Sequence, residues 1–247
     1  MKGLMNVKYR THRGGVYYTP ENTIPAFLDA IKKGFSYIET DPQFTKDGKI
    51  VLIHDYTLNR TCRNKDGSEI ASEINVEDLT YDELSEYDAG IFMGEEFRGT
   101  KIPLLEELFE AVKGHDIIVA LDKKIKNNEL EPLFNLVEKY NAKVSFSVCD
   151  IERTKKILER FPDAMIDYDG NTTEEQLKEI TSLVPYDNLI VWMYMDNPNF
   201  AWLTDRMKAS SENCKRVKEY ARLGLANVNN AYDVFEAMAF NPDVIEV

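Results

Sequence analysis

Short β-branched runs separated by longer helical patterns recur along the whole chain, and this alternation constrains the fold more than any other feature. The strand candidates are VKYRTH (7–12), YIETD (37–41), IVLIH (50–54), IIVALD (117–122), KVSFSV (143–148), AMIDY (164–168), LIVWMY (189–194), LGLANV (223–228) and DVIEV (243–247). Between most of them lie helical stretches such as ELEPLFNLVEKYN and TIPAFLDAIKKG, the latter with Thr23 placed as N-cap and Gly34 as C′ stop. Strand–helix alternation specifies βα units and a parallel sheet. The length of 247 residues suits eight such units closed into a (β/α)8 barrel, with a doubly wound open sheet as the main rival. Nine candidates are one more than a barrel needs, and 164–168, the weakest, is expected to be a turn or a peripheral strand.

One stretch breaks the alternation. From Tyr56 to Lys101 the chain is polar, with acidic helical pieces such as NVEDLTYDELSEYDAG. It is too long for an ordinary βα loop and too short to fold easily alone. The expectation is a single domain over 1–247 with an inserted subdomain at about 56–101, after the third strand. Because the insertion leaves directly after His54, it is placed to shape substrate access.

Charge excludes several function classes. The formal net charge is −13, and a surface this negative repels nucleic acid and anionic lipid, whose binding rests on clustered Lys and Arg. No apolar run reaches the ~18–20 residues of a membrane span, so no stable membrane association is expected. The opening MKGLMNVKYR has no continuous apolar stretch, which makes the cytoplasm the expected compartment. The three cysteines, Cys62, Cys149 and Cys214, are far apart, suit a reducing compartment and offer no paired metal site. An anionic substrate therefore needs local positive charge, from a metal or a few cationic side chains.

Histidine placement locates the chemistry. Of three histidines, His12 and His54 each end a strand candidate, whereas His115 precedes one and is expected on the opposite rim in a structural or surface role. In a parallel barrel all strand C-termini open on one face, so His12 and His54 can converge although 42 positions separate them. Glu39 and Asp41, at i and i+2 on a strand end, point to one face. Two carboxylates aimed together raise each other's pKa unless a cation lies between them, and hard ions such as Mg²⁺ and Ca²⁺ prefer oxygen ligands. Asp122 and Lys124 repeat the i, i+2 spacing at the end of IIVALDKK: the acid can complete the ligand set and the lysine can meet a phosphate oxygen, while a solvated basic turn is the plain alternative. Arg13 offers a bidentate phosphate grip, and Gly14 and Gly15 permit either close ligand approach or a tight turn.

These residues fall into a recognisable pattern. HRGG (12–15), PENTIPAF (20–27), IETD (38–41), TKDGKIVLIHD (45–55), TLNRT (57–61) and KIPLLEEL (101–108) resemble, in order, the N-terminal signature of the glycerophosphodiester phosphodiesterase family. The resemblance is strong over roughly the first 125 residues and loose beyond. It implies a TIM barrel with a small inserted subdomain, catalytic His12 and His54, metal ligands Glu39 and Asp41, and a phosphate contact at Arg13. The family's Glu-x-Lys motif falls on Asp122 and Lys124, where Asp shortens the carboxylate's reach by one methylene. A late Trp-Thr-Val-Asn run is represented here by Ala226-Asn227-Val228-Asn229, and a terminal Thr-Asp by Glu246 in DVIEV; Trp192 is a candidate replacement for the missing apolar wall, with a core role as its alternative.

The expected reaction is metal-dependent hydrolysis of a small-molecule glycerophosphodiester to sn-glycerol 3-phosphate and an alcohol, with His12 as base and His54 as acid. The nucleophile is either water or the substrate's own 2-hydroxyl. Another phosphodiester, such as a lysophospholipid, and a catalytically inactive binding barrel are the competing expectations.

Overall fold

The computed structural model describes residues 7–196 and 203–247. Its strands are β1 (Lys8–Thr11), β2 (Tyr37–Thr40), β3 (Pro42–Phe44), β4 (Ile50–Leu52), β5 (Arg63–Asn64), β6 (Tyr87–Asp88), β7 (Ile118–Leu121), β8 (Val144–Val148), β9 (Met165–Tyr168), β10 (Leu189–Tyr194), β11 (Arg222–Ala226) and β12 (Val244–Glu246). Eight of them close into a barrel in the order β1-β12-β11-β10-β9-β8-β7-β2, and the paired strands run parallel. The barrel reading thus prevails over the open sheet.

Which eight differs from the sequence expectation in one respect. The run 164–168 supplies β9, a full barrel strand paired with β8 and β10. The odd strand out is 50–54: β4 pairs antiparallel with β3 in a separate two-stranded hairpin. The insertion accordingly follows the second barrel strand, not a third, and includes this hairpin. Alternation of strand and helix could not reveal this, because IVLIH carries the same apolar run as a barrel strand while its turn, KDGK, is the signal of a hairpin.

Contacts within the chain separate two compact units. One is Thr11–Lys143; the other runs from Val144 onward and takes in β1 up to Arg10. In the first unit, β2 and β7 are buried along their whole length and aligned with Glu39 opposite Ala120 and Thr40 opposite Leu121. Helix α1 (Ile24–Lys33) starts and stops as its sequence demands: the Thr23 side chain accepts from the Ala26 N–H, and Gly34 ends the helix at φ 78°. The insertion builds an apolar cluster from Leu58, Cys62, Val76, Leu84 and Ala89, joined by Val51 of β4, by Ile53 just after it and by Ile102. Burial holds the Cys62 thiol protonated, its pKa pushed up to about 12.

The second unit encloses a charged network. Arg10 Nε and Nη2 each lie 2.7 Å from Glu246 Oε2, and Nη1 is 3.4 Å from Asp167. The Arg10 guanidinium stacks 3.4 Å from the centroid of a Trp192 ring, whose Nε1 donates to Asp167 at 3.0 Å. Trp192 is therefore a core residue committed to this network, the alternative weighed against an apolar substrate wall. Glu246 is an internal ion-pair partner.

Candidate active site

Three barrel strands and one hairpin deliver the site. His12 follows β1, Glu39 and Asp41 close β2, Asp122 follows β7, and His54 lies just beyond the hairpin strand β4. Together with Tyr56, Lys123 and Lys124 they line one cleft of about 330 Å³. Six of the seven residues singled out in the sequence, His12, Glu39, Asp41, His54, Asp122 and Lys124, thus share a cavity. His115 is exposed in the turn before β7 and is not among the residues lining the cleft.

His12 opens a tight turn, His12–Gly14, in which Arg13 adopts left-handed backbone angles (φ 52°, ψ 34°). A non-glycine residue is uncommon there and costs about 1–2 kcal/mol, so it must be held. Two hydrogen bonds hold it: the Arg13 N–H donates to Glu39 Oε2 at 2.8 Å, and its carbonyl accepts from the Asn22 N–H at 2.8 Å. The glycines that follow serve the turn and its packing. Gly14 sits at φ 78° with a would-be Cβ 2.7 Å from the Phe27 ring of α1. Gly14→Ala is expected to lose at least about 2 kcal/mol of stability from overpacking and backbone strain together, read as a lowered urea midpoint.

Asp41 is the buried hub. It accepts from Asn22 Nδ2 at 2.8 Å, and Asn22 Oδ1 in turn accepts from Thr40 Oγ1 at 2.7 Å and from the Asp41 N–H at 3.3 Å. Arg13 Nε lies 3.7 Å from Asp41 Oδ2 and Lys124 Nζ 4.0 Å from Oδ1. Burial and the neighbouring charge of Asp122 nonetheless push the Asp41 pKa up, against the opposing effects of His54, Arg13 and Asn22. Carboxylate oxygens of Glu39, Asp41 and Asp122 all come within 4.8 Å of one another. Lys123 Nζ lies 3.8 Å from Asp122 Oδ2. This donor set fits a hard divalent cation: the ligands are oxygens and they converge. The shorter Asp at position 122 is no obstacle to convergence.

His54 is held from two sides. The Gln43 amide donates to the carbonyls of Ile53, His54 and Asp55 at 2.5, 3.0 and 3.0 Å, fixing the backbone of this turn. Asp55 Oδ1 lies 2.7 Å from His54 Nδ1. Although burial favours the neutral acid, hydrogen bonds from Arg60 and His54 and their charges hold the Asp55 pKa down at about 2. An ionised carboxylate only accepts, so Nδ1 carries the proton and Nε2 is left for proton transfer.

Four contributors escaped the sequence reading: Asn22, Gln43, Glu21 and Asp55. Each lies inside or beside a motif noted there, yet nothing in spacing or composition separates a bracing amide or carboxylate from an ordinary polar residue. Arg13, expected as a phosphate contact, lies beside the carboxylates, with Nη1 3.0 Å from Glu21 Oε1 and Nε 3.7 Å from Asp41 Oδ2.

With this geometry in view, the chain can be set beside known proteins. A sequence profile of the glycerophosphoryl diester phosphodiesterase family matches residues 12–220, beginning at His12. The chain is 40% identical over 134 residues to the glycerophosphodiester phosphodiesterase of Caldanaerobacter subterraneus subsp. tengcongensis, covering 53% of this chain and only 52% of that protein's length. It is 33% identical over 190 residues to YhdW of Bacillus subtilis, covering 72% and 74% of the two chains. A phosphodiesterase of Oleispira antarctica, solved with its product sn-glycerol-3-phosphate, has the same fold, with a TM-score of 0.79 at 16% identity over 98% of this chain and 93% of that one. Among the described residues no helix is long and apolar enough to cross a membrane. On the profile match across most of its length, this chain belongs to the glycerophosphoryl diester phosphodiesterase family.

Proposed function

We propose that the protein hydrolyses small-molecule glycerophosphodiesters to sn-glycerol 3-phosphate and an alcohol, in a metal-dependent reaction at the cleft of His12 and His54. The observation that carries this reading is the meeting of both histidines with the convergent carboxylates of Glu39, Asp41 and Asp122 in one cavity. Those three carboxylates would hold the cation, Mg²⁺ or Ca²⁺, which when bound supplies charge neutralisation to the phosphoryl oxygens.

The chain's own groups do the rest. His54, its Nδ1 proton committed to Asp55, presents Nε2 and serves as the acid for the leaving alkoxide. His12, set at the mouth by the Arg13 turn, serves as the base for the attacking hydroxyl. Arg13 and Lys124 bind the phosphate. The Arg13 Nε, buried without a hydrogen bond among the described residues, faces Asp41 Oδ2 at 3.7 Å, which sets the guanidinium beside the carboxylates that converge on the cleft. Lys124 lines the cleft with its ammonium 5.3 Å from the Tyr56 ring centroid, a cation–π contact that holds the charge at that wall.

A panel of diesters tests the assignment: glycerophosphodiesters with different alcohols, lysophospholipids and a chromogenic diester, each with and without added Mg²⁺ or Ca²⁺. Metal-stimulated turnover of the glycerophosphodiesters above the others is the expected outcome; turnover confined to lysophospholipids reassigns the substrate. Independently of activity, adding the preferred ion at about 100 times its Kd should stabilise the fold by about 2.7 kcal/mol, a rise in Tm of roughly 5–10 °C by the size scaling for such chains.

A further inference from the structure

Arg60 is not among the residues lining the cleft, yet it joins the two segments that carry the site. It belongs to the insertion, in TLNRT (57–61). On one side its Nε and Nη2 donate to Asp55 Oδ2 and Oδ1 at 2.6 and 3.0 Å. On the other, Nη1 and Nη2 donate to Glu21 Oε2 and Oε1 at 2.9 and 2.7 Å. Asp55 passes the link to His54 Nδ1 at 2.7 Å, and Glu21 passes it to Arg13 Nη1 at 3.0 Å.

An exposed ion pair would contribute little, and the Arg60 side chain is 45% exposed. Its geometry is of another kind. The guanidinium forks bidentately onto two carboxylates at once, which fixes both planes, and the Glu21 side chain is only 9% exposed. A lysine ammonium cannot reproduce two forks from one point charge. We infer that Arg60 is a positioning residue, a single strap that holds His54 through Asp55 and Arg13 through Glu21 in mutual register. The inference rests on the proposed function for what the register is for, but not for its existence. It also gives the insertion a task beyond shaping access: it anchors the site from outside.

The test uses full-length Arg60→Lys and Arg60→Ala, with kinetics on glycerophosphocholine under saturating Mg²⁺ and two-bond ¹H–¹⁵N spectra of the histidine rings. The chain has only three histidines, so His54 can be assigned by comparison with His12→Ala and His115→Ala. A misplaced catalytic group costs roughly 10²-fold, so Arg60→Ala should lose about that factor in kcat, and Arg60→Lys should recover part of it. In both variants the His54 ring should pass from a single Nδ1–H tautomer to a mixture. An unchanged His54 spectrum, with kcat within about twofold of wild type in the folded protein, overturns the inference, even if Tm falls. If wild type turns over no diester, the proposed function falls, and the His54 spectrum alone still decides whether Arg60 positions it. Should Arg60→Ala fail to fold, Arg60→Lys, which keeps the charge, carries the same two readouts.

Discussion

Replacing His54 by alanine is expected to lower kcat by about 10²–10⁴-fold, the usual contribution of one general acid or base, while Tm stays within a few degrees. The side chain is a third exposed and pairs with Asp55, so truncation opens no cavity in a packed core. Asp55 keeps its two hydrogen bonds from Arg60 and is not orphaned. His12→Ala should behave alike in kcat. Combining the two should cost much less than the product of the single losses, because acid and base act in one event. Asp55→Asn sharpens the point. It leaves the ring in place but allows the asparagine amide to donate to Nδ1, stabilising the wrong tautomer, a fault that in a histidine–aspartate pair can cost as much as ~10⁴-fold. Steady-state kinetics beside circular dichroism checks all four; a His54→Ala enzyme with near-normal kcat would remove the two-histidine mechanism.

Asp41→Asn should abolish the response to divalent cations and, with no metal present, leave the fold at least as stable as wild type. Asp41 is buried beside Asp122, and burial and that neighbour raise its pKa above the ordinary value of 3.8. A carboxyl whose folded pKa is raised favours folding only in its protonated form. Its cost is absent at pH below the ordinary value and grows as pH rises through the raised one. Asparagine removes that cost and can still accept from Asn22 through its carbonyl oxygen. The metal-free variant should therefore gain most on wild type near neutral pH, and the difference should shrink towards pH 4. Thermal melts across pH, with and without Ca²⁺ or Mg²⁺, give the comparison. A variant that is less stable without metal, or that still stabilises on adding it, contradicts Asp41 as a buried metal ligand.

Much of this site is legible in the sequence because barrel topology does the geometric work. Strand ends gather on one rim, so His12, Glu39, Asp41 and Asp122 need only sit at the ends of their runs to meet. His54 reached the same cleft by a different route. It follows a hairpin strand outside the barrel, so it lines the cleft for a reason the alternation pattern does not contain. The pattern also undervalued 164–168, whose single Asp interrupts an apolar run. In the fold that Asp167 accepts from Ser145 and Trp192, so a polar residue in a strand marks an internal network here, not a turn. What sequence could not supply is the layer behind the reacting groups. Asn22, Gln43, Glu21 and Arg60 act through hydrogen bonds to residues up to 39 positions away, and such pairings follow from tertiary approach, not from local spacing.

The central claim is most directly tested by one assay: purified protein with glycerophosphocholine, scoring enzymatically coupled release of sn-glycerol 3-phosphate with Mg²⁺ or Ca²⁺ and again after EDTA. Steady release with metal, its loss in EDTA and its recovery when the ion is restored are the expected result. Release that is indifferent to EDTA, or no release from any glycerophosphodiester with either ion, contradicts it.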